Sequence, residues 1–204
     1  MKNTLILLII ATIFIQCNSQ NTKYQDEIKQ FQYKLNTEFA DATTSPLTEK
    51  DLKTFKSLDF FEINEKYKII ADFELTPNSP IFELKTTTER LPLYRKYGIA
   101  TFVLNGKKHQ LNIYQSQDLL KSLDYENYLF LPFYDTSNGQ SSYGGGRFID
   151  LEIPKSNNKT IIIDFNKAYN PYCAYNHTFS CPIPPKENLI SVPIEAGVKA
   201  YKKH

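Results

Sequence analysis

The chain has 204 residues, of which 41% are hydrophobic and 23% charged, and its formal net charge at pH 7 is +2. This length and composition predict one globular domain that buries a core without metals or several disulfides. Acidic and basic residues are interspersed and form no basic stripe, which argues against nucleic-acid binding. Fourteen Phe and fourteen Tyr, with much Ile and Thr, favour strands over helices.

The beginning of the chain predicts a targeting signal. Lys2 precedes an apolar run, Leu5–Ile15, that is too short to span a bilayer. Cys17 follows directly after Gln16, and polar residues come next. The pattern resembles a bacterial lipoprotein signal, in which the cysteine is acylated and becomes the first residue of the mature chain. A secretory signal without lipid and an uncleaved anchor are the alternatives, and all three place the body of the protein outside the cytoplasm.

The chain therefore divides into three predicted parts. Residues 1–17 form the lipoprotein-type signal, residues 18–22 a polar tether, and residues 23–204 a single domain. The expected location is the cell envelope, as a periplasmic or outer-membrane lipoprotein held to the membrane by a lipid on Cys17. The sequence predicts no cofactor and leaves the oligomeric state open.

Two helices are predicted at the start of the domain. From Lys23 to Phe39, apolar residues recur at helical spacing between charged ones. Thr48, with Asp51 three residues later, predicts a capped second helix that runs through Phe55. These helices pack on a sheet as a lid, or else form a face for a membrane surface or a partner.

Strands are predicted from Tyr67 onwards. Polar and apolar residues alternate over Tyr67–Leu75, and Ile81–Lys85 is a second strand. Asn105–Gly106 predicts a two-residue hairpin, because both central positions of a type I′ turn need positive φ. That register places His109 opposite Phe102, where a histidine is more often a core-edge residue than a ligand or a base.

A buried strand and a turn follow. The apolar run Tyr128–Phe133 predicts the strand, and Asp135–Gly139 supplies side chains that bond to nearby backbone amides. The glycine run Gly144–Gly146 matches neither a P-loop nor a dinucleotide fingerprint. It predicts backbone that needs positive φ or close approach, as at a bulge, with an anion-binding nest as the alternative.

The next strand carries an inward-facing arginine. Arg147 alternates with Asp150 and Glu152, so it shares the buried face with the apolar residues of its strand. If the loop Pro154–Lys159 closes a hairpin, the two strands that flank it pair with each other.

In that hairpin, Ile153 pairs with Thr160, and Arg147 lies opposite Asn166. Asp164 is then within diagonal reach of the guanidinium, which needs a partner when it is buried. Two interpretations stay open: a structural ion pair, or a pocket floor where Arg147 binds a carboxylate or a phosphate.

Cys173 and Cys181 lie eight positions apart. Outside the cytoplasm they most simply form a disulfide, and closing so short a loop contributes about 2.6 kcal/mol in the chain-entropy model. A zinc site with His177, a reactive thiol with His177 as base, and two plain buried thiols are the alternatives. Because no fourth ligand is evident, no metal site is predicted.

These motifs together resemble a family of unknown function, DUF1684. The segments that carry the resemblance are Leu131–Phe133, Asp135–Gly139, Tyr143–Arg147, Asp164–Pro171, Cys173, Cys181–Pro185 and Glu187–Asn188. Weaker likeness extends the match to about Phe31–Tyr201. The chain departs from the family at Leu131, where a phenylalanine is usual, and at Val198, where a glutamate is usual. The resemblance implies a shared fold and a shared polar cluster, with no established activity.

The predicted fold is a mainly β, α+β domain: an antiparallel barrel or strongly curved sheet with one or two N-terminal helices packed on it. The leading hypothesis is a binding module for a small polar or anionic ligand. Its predicted binding residues are Tyr143, Gly144, Gly145, Gly146, Arg147, Asp164, Asn166, Asp135 and Asn170. The alternatives are a hydrolytic enzyme that uses Asp135, Asp164 or the Cys173 and His177 pair, and a purely structural envelope protein.

Overall fold

The computed structural model describes residues 22–155 and 159–201. The predicted signal, including Cys17, lies outside these residues, as does the tether up to residue 21. Within the described ranges, no helix combines the length and the apolar character that crossing a bilayer requires.

Both predicted helices are present. Helix α1 covers residues 22–40 and buries Tyr24, Ile28 and Phe39, which confirms the helical spacing read from the sequence. Helix α2 is Glu49–Leu52 and is shorter than predicted. The Thr48 hydroxyl caps α2 by accepting a hydrogen bond from the backbone N–H of Asp51, at 3.2 Å.

Eight strands form one curled, half-barrel sheet that is antiparallel except at its last strand. They are β1 (Lys68–Leu75), β2 (Ile81–Glu83), β3 (Leu93–Leu104), β4 (Lys107–Ser116), β5 (Tyr128–Asp135), β6 (Arg147–Glu152), β7 (Thr160–Asp164) and β8 (Leu189–Ile190). The order across the sheet is β6-β5-β4-β3-β1-β7, while β2 pairs with β3 and β8 runs parallel to β5. The predicted fold class is confirmed.

The β3–β4 hairpin has the predicted turn and register. Asn105 and Gly106 have φ values of 51° and 74°, as a type I′ turn requires. His109 pairs with Phe102, and their ring centroids lie 5.6 Å apart. His109 is buried, with 6% of its surface exposed.

The predicted β6–β7 hairpin is wrong. Strand β6 hydrogen-bonds to β5, with Arg147 opposite Phe133, and β7 hydrogen-bonds to β1, with Asp164 opposite Lys68. The two strands are the outer members of the main sheet order, and the cleft between them is where the half-barrel stays open. Alternation along a strand fixes which side chains face inward, but it does not choose the neighbouring strand.

The core has three parts. The largest fills the inside of the curled sheet, and its fully buried members include Ile113, Leu131 and Ile163. A second packs α1 and α2 against the Tyr175 region, and a third, around Phe130, covers the outer face of β3 to β6. This third cluster positions the groove described below.

Candidate functional site

Arg147 lies at the start of β6 with its side chain fully buried. Its Nη2 donates to Asp135 Oδ2 at 2.8 Å and to the Ile194 carbonyl at 2.7 Å. Its Nη1 donates to the carbonyls of Ala196, at 2.5 Å, and Val198, at 3.4 Å. The guanidinium thus fastens a late segment of the chain to the sheet.

The partner of Arg147 is Asp135, and the prediction of Asp164 is wrong. Because β6 pairs with β5, the carboxylate at the end of β5 becomes the neighbour of the arginine. The other oxygen of Asp135 accepts the backbone N–H groups of Ser137, at 2.8 Å, and Ile194, at 3.0 Å. The turn after β5 therefore binds nearby amides as predicted, and it also holds the ion pair in place.

The electrostatics of this pair suit a closed structural site. Burial lowers the pKa of the Arg147 guanidinium, and the Asp135 carboxylate opposes that shift. Both side chains are enclosed, and both terminal nitrogens of Arg147 already donate to protein oxygens. An anionic ligand would have to displace these contacts to reach the guanidinium.

Asp164 and Asn166 form a second, separate cluster at the end of β7. The Tyr24 hydroxyl of α1 lies 3.0 Å from each oxygen of Asp164 and accepts from Asn166 Nδ2 at 2.8 Å. The Asn166 amide also donates to the Asn64 carbonyl at 3.0 Å. This cluster attaches the helix to the sheet, and it is not part of the Arg147 site.

The glycine run allows close packing. Gly146 has a φ of 84°, and a Cβ added there would lie 2.7 Å from the Phe133 carbonyl oxygen. A Cβ added at Gly145 would lie 2.5 Å from the ring of Tyr143. The predicted need for positive φ is confirmed at Gly146, while Gly144 makes only ordinary contacts.

A separate cavity lies between α1 and the outer face of the sheet. It is a groove with a volume of about 460 Å³. Its walls are mostly aromatic, with a few polar side chains between them. The lining residues are Phe31, Lys34, Leu35, Glu38, Phe39, Tyr94, Phe130, Phe148, Asp150, Tyr169, Asn170, Pro171, Tyr172, Phe179, Ser180, Cys181 and Pro182.

Asp150 is the carboxylate of this groove. The hydroxyls of Tyr128 and Tyr169 both donate to its Oδ1, at 2.8 and 2.6 Å. Burial first, and then the Asp150 charge, raise the pKa of each tyrosine, so both hydroxyls stay protonated as donors. Two fixed donors on one oxygen orient the carboxylate and leave its second oxygen for another donor.

Two acceptors belong to residues that line the groove. Asp150 is exposed, so its Oδ2 is open to solvent or to a donor of a bound molecule. Oδ1 of the buried Asn170 has no hydrogen-bond partner among the described residues, while its Nδ2 donates to the Lys199 carbonyl at 2.8 Å. A donor of a bound molecule would replace water at Asp150.

Sequence reasoning included Asn170 among the binding residues but missed the other groove residues. Phe148 and Asp150 alternate with the inward-facing residues of β6, so the pattern assigned them to the wet face. Aromatic residues could have indicated the groove. Tyr94, Phe130 and Phe148 occupy strand positions that would carry polar side chains if they faced solvent.

Cys173 and Cys181 are free, buried thiols, and the structure does not contain the predicted disulfide. The backbone N–H of Cys173 donates to the Cys181 sulfur at 2.9 Å. His177 is exposed and lines a separate depression beside Tyr201. Across residues 22–155 and 159–201, no group of three or more His, Cys, Asp and Glu residues is arranged to hold a metal ion.

The residues of the hydrolytic hypothesis do not share a cleft. Asp135 is enclosed against Arg147, and Asp164 lines the cleft between β6 and β7. Cys173 is buried, whereas His177 is exposed and lines a separate depression that does not include Cys173. The geometry therefore brings no base and nucleophile together from this set.

The comparisons with known proteins agree on the family and the fold. The model of the family "Protein of unknown function (DUF1684)" matches residues 53–199. The solution NMR structure of an uncharacterized protein from Haloarcula marismortui superimposes with a TM-score of 0.71 and is 28% identical, over 91% of this chain and 99% of that one. None of the curated proteins matches the sequence.

Proposed function

Because the chain belongs to the DUF1684 family, whose description assigns no activity, we propose its function from the groove. The protein is a binding module for a small organic molecule. That molecule has an aromatic or apolar body and carries a hydrogen-bond-donating group, such as a protonated amine.

One observation carries the proposal: an aromatic groove whose wall holds a carboxylate, Asp150, that two tyrosine hydroxyls orient. Tyr94, Phe130 and Phe148 offer ring surfaces to an apolar body. Asp150, oriented by its two tyrosines, receives the donor group. A volume of about 460 Å³ suits a small molecule.

This ligand class differs from the anion expected around Arg147. The two terminal nitrogens of Arg147 donate to Asp135 and to backbone carbonyls, so the cluster supports the fold instead of a ligand. Lys34 is the cation of the groove lining, against the carboxylates of Glu38 and Asp150. The charges of the lining thus favour a donor or a cation over an anion.

The test compares two probes with the same indole body, tryptamine and indole-3-propionic acid, by NMR titration of the labelled full chain. We expect tryptamine to shift the amide signals of the groove residues and to bind more tightly than the acid. Replacing Asp150 by Asn should weaken tryptamine binding about tenfold or more, because a charge-assisted hydrogen bond contributes about 1.5–3 kcal/mol.

The matched control is Asp72→Asn, which removes an exposed carboxylate from β1 without touching the groove. Its binding of tryptamine should equal that of the unaltered chain. Equal binding of amine and acid, or unchanged amine binding after Asp150→Asn, would refute the assignment of Asp150.

We also propose that the module works in the cell envelope, held to a membrane by a lipid on Cys17. The short apolar run before Cys17 and the polar residues after it support this placement. A tethered module of this kind would sample small molecules that enter the envelope.

A further inference from the structure

Beside the groove lie two thiols that the binding function does not use. Cys173 belongs to a short 3-10 turn, Tyr172–Ala174, and Cys181 precedes Pro182 in the strand-like segment that bridges to Thr86. The Cys173 N–H donates to the Cys181 sulfur, so the backbone holds the second sulfur against the first residue.

Hydrogen bonds and aromatic contacts hold the segments that carry Cys173 and Cys181. The backbone N–H of Cys181 donates to the Thr87 hydroxyl at 3.1 Å, and its carbonyl accepts the Thr87 N–H at 2.9 Å. The loop between the cysteines is packed at both ends: Tyr175 lies 4.7 Å from Phe39 of α1, measured between ring centroids, and Phe179 packs on Tyr172. The two thiols are thus held close by structure on either side.

Hydrogen bonding makes one thiol of the pair acidic. The hydrogen bond with the Cys181 thiol, followed by one from the Tyr143 hydroxyl, lowers the pKa of Cys173 to about 7 from its usual 9.0. Burial and the neighbouring Cys173 raise the pKa of Tyr143 to about 12, so its hydroxyl stays protonated and can donate. The hydrogen bond with Cys173, followed by burial, raises the pKa of Cys181, so Cys173 is the more acidic thiol of the pair.

One cysteine of the pair contacts the groove. Both cysteines are buried, at 6% and 4% exposure, but Cys181 lines the groove together with Tyr172 and Ser180. A small molecule in the groove would lie against this residue.

We propose that Cys173 and Cys181 form a reactive dithiol that exchanges with small disulfides entering through the groove. In the first step, the thiolate of the pair attacks one sulfur of an external disulfide. A mixed disulfide forms and one external thiolate leaves, taking up a proton. In the second step, the remaining cysteine gives up its proton and attacks the mixed disulfide, which closes the Cys173–Cys181 bond and releases the second external thiol.

This activity is independent of the ligand proposed for the groove. The external disulfide is reduced to two thiols, and the protein dithiol is oxidised by the same two electrons. A disulfide-bonded form, as predicted from the eight-residue spacing, is then one of two states, and the free dithiol of the structure is the other.

The test uses the full chain with Cys17→Ser, so that only the pair carries thiols. The folded protein is incubated with oxidised glutathione, quenched with iodoacetamide and weighed by mass spectrometry. We expect loss of two hydrogens without alkylation, reversed by dithiothreitol. Cys173→Ser and Cys181→Ser variants should each stop at one glutathione adduct.

A parallel sample in urea serves as the reference for accessible thiols. If the thiols stay reduced in the folded protein while they oxidise in urea, the pair is merely buried and the proposal fails. Persistent mixed adducts on the chain that retains both cysteines would fail it too, because the second thiol would not resolve the first.

The pH dependence of alkylation gives a second readout. The rate of iodoacetamide reaction should rise with a midpoint near pH 7. Tyr143→Phe should move that midpoint upward, because the thiolate loses a donor. A midpoint near the usual thiol value of 9.0 that Tyr143→Phe leaves in place would contradict the proposed activation.

Discussion

Arg147 and Asp135 show how one buried charge dictates its surroundings. The sequence identified the arginine as inward-facing and in need of an anionic partner, and both conclusions hold. The sequence could not identify the partner, because Asp135 ends β5 and Asp164 ends β7. Only the pairing of β6 with β5 makes Asp135 the neighbour of Arg147. Residue patterns predict the requirement, and the tertiary contacts select the residue that meets it.

Replacing Arg147 by Met should destabilise the fold strongly. The change leaves Asp135 buried without its countercharge and frees the carbonyls of Ile194 and Ala196. Breaking such a pair costs about 3–5 kcal/mol, which urea denaturation would measure as a lower free energy of unfolding. Lys107→Met, an exposed charge removal on the β3–β4 hairpin, should change stability by less than about 0.5 kcal/mol.

If Arg147→Met leaves stability nearly unchanged but abolishes binding of a small carboxylate, Arg147 is a ligand-binding residue. Loss of stability alone supports the structural role argued from its contacts.

Gly146 and Gly106 separate two costs of replacing a glycine: the strain of a positive φ and the steric clash of an added Cβ. Gly146 and Gly106 both have positive φ, but an added Cβ meets the Phe133 carbonyl only at Gly146 and nothing within 4 Å at Gly106. Gly106→Ala should therefore cost about 1 kcal/mol from backbone strain alone. Gly146→Ala should cost a further ~1–3 kcal/mol from the clash, again measured by urea denaturation. Equal losses would show that the loop moves freely.

At the scale of elements, the Tyr24 hydroxyl is one of the contacts that hold helix α1 to the sheet. Tyr24→Phe removes its contacts with Asp164 and Asn166 and leaves the carboxylate with fewer donors. We expect a loss of about 1–3 kcal/mol, because a buried polar group loses its partner. Hydrogen exchange over residues 22–40 should also accelerate, since the helix is less firmly attached.

Tyr33→Phe is the control for that change, because Tyr33 lies on the same helix and is 75% exposed. It should leave both stability and exchange unaltered. If Tyr24→Phe behaves like Tyr33→Phe, other contacts of α1, such as the buried Ile28 and the Glu27–Lys167 ion pair, are sufficient to hold the helix.

Elements with strong local signals were predictable. Helical spacing gave α1, a side-chain cap gave the start of α2, and Asn105–Gly106 gave the β3–β4 register. The β6–β7 pairing failed for a different reason: the loop between those strands carries no comparable turn signal, so adjacency in sequence was the only guide.

At the scale of the whole molecule, the groove could not be read from the chain. It joins α1, strands β3, β5 and β6, and segments near Tyr169 and Phe179, which lie far apart in sequence. Taken separately, each segment has only aromatic residues that are also typical of a hydrophobic core, so none of them indicates a binding site. Only their meeting on the outer face of the sheet creates a cavity with Asp150 on its wall.

The envelope placement leads to a cellular prediction. Cys17→Ser should abolish incorporation of radiolabelled palmitate and move the protein from the membrane fraction to the soluble one, because the lipid is the proposed tether. Cys173→Ser, which removes a thiol from the body of the protein, should keep the label. Labelling of the Cys17→Ser protein would show that the acyl group lies elsewhere.

The Arg147 clamp also bears on the order of events during synthesis. The carbonyls that accept from its guanidinium belong to residues 47 to 51 positions later in the chain. Until the translation machinery has added those residues, a guanidinium bound for the interior has only part of its shell. The buried site around Arg147 is therefore completed only after residues 194–198 have been synthesised.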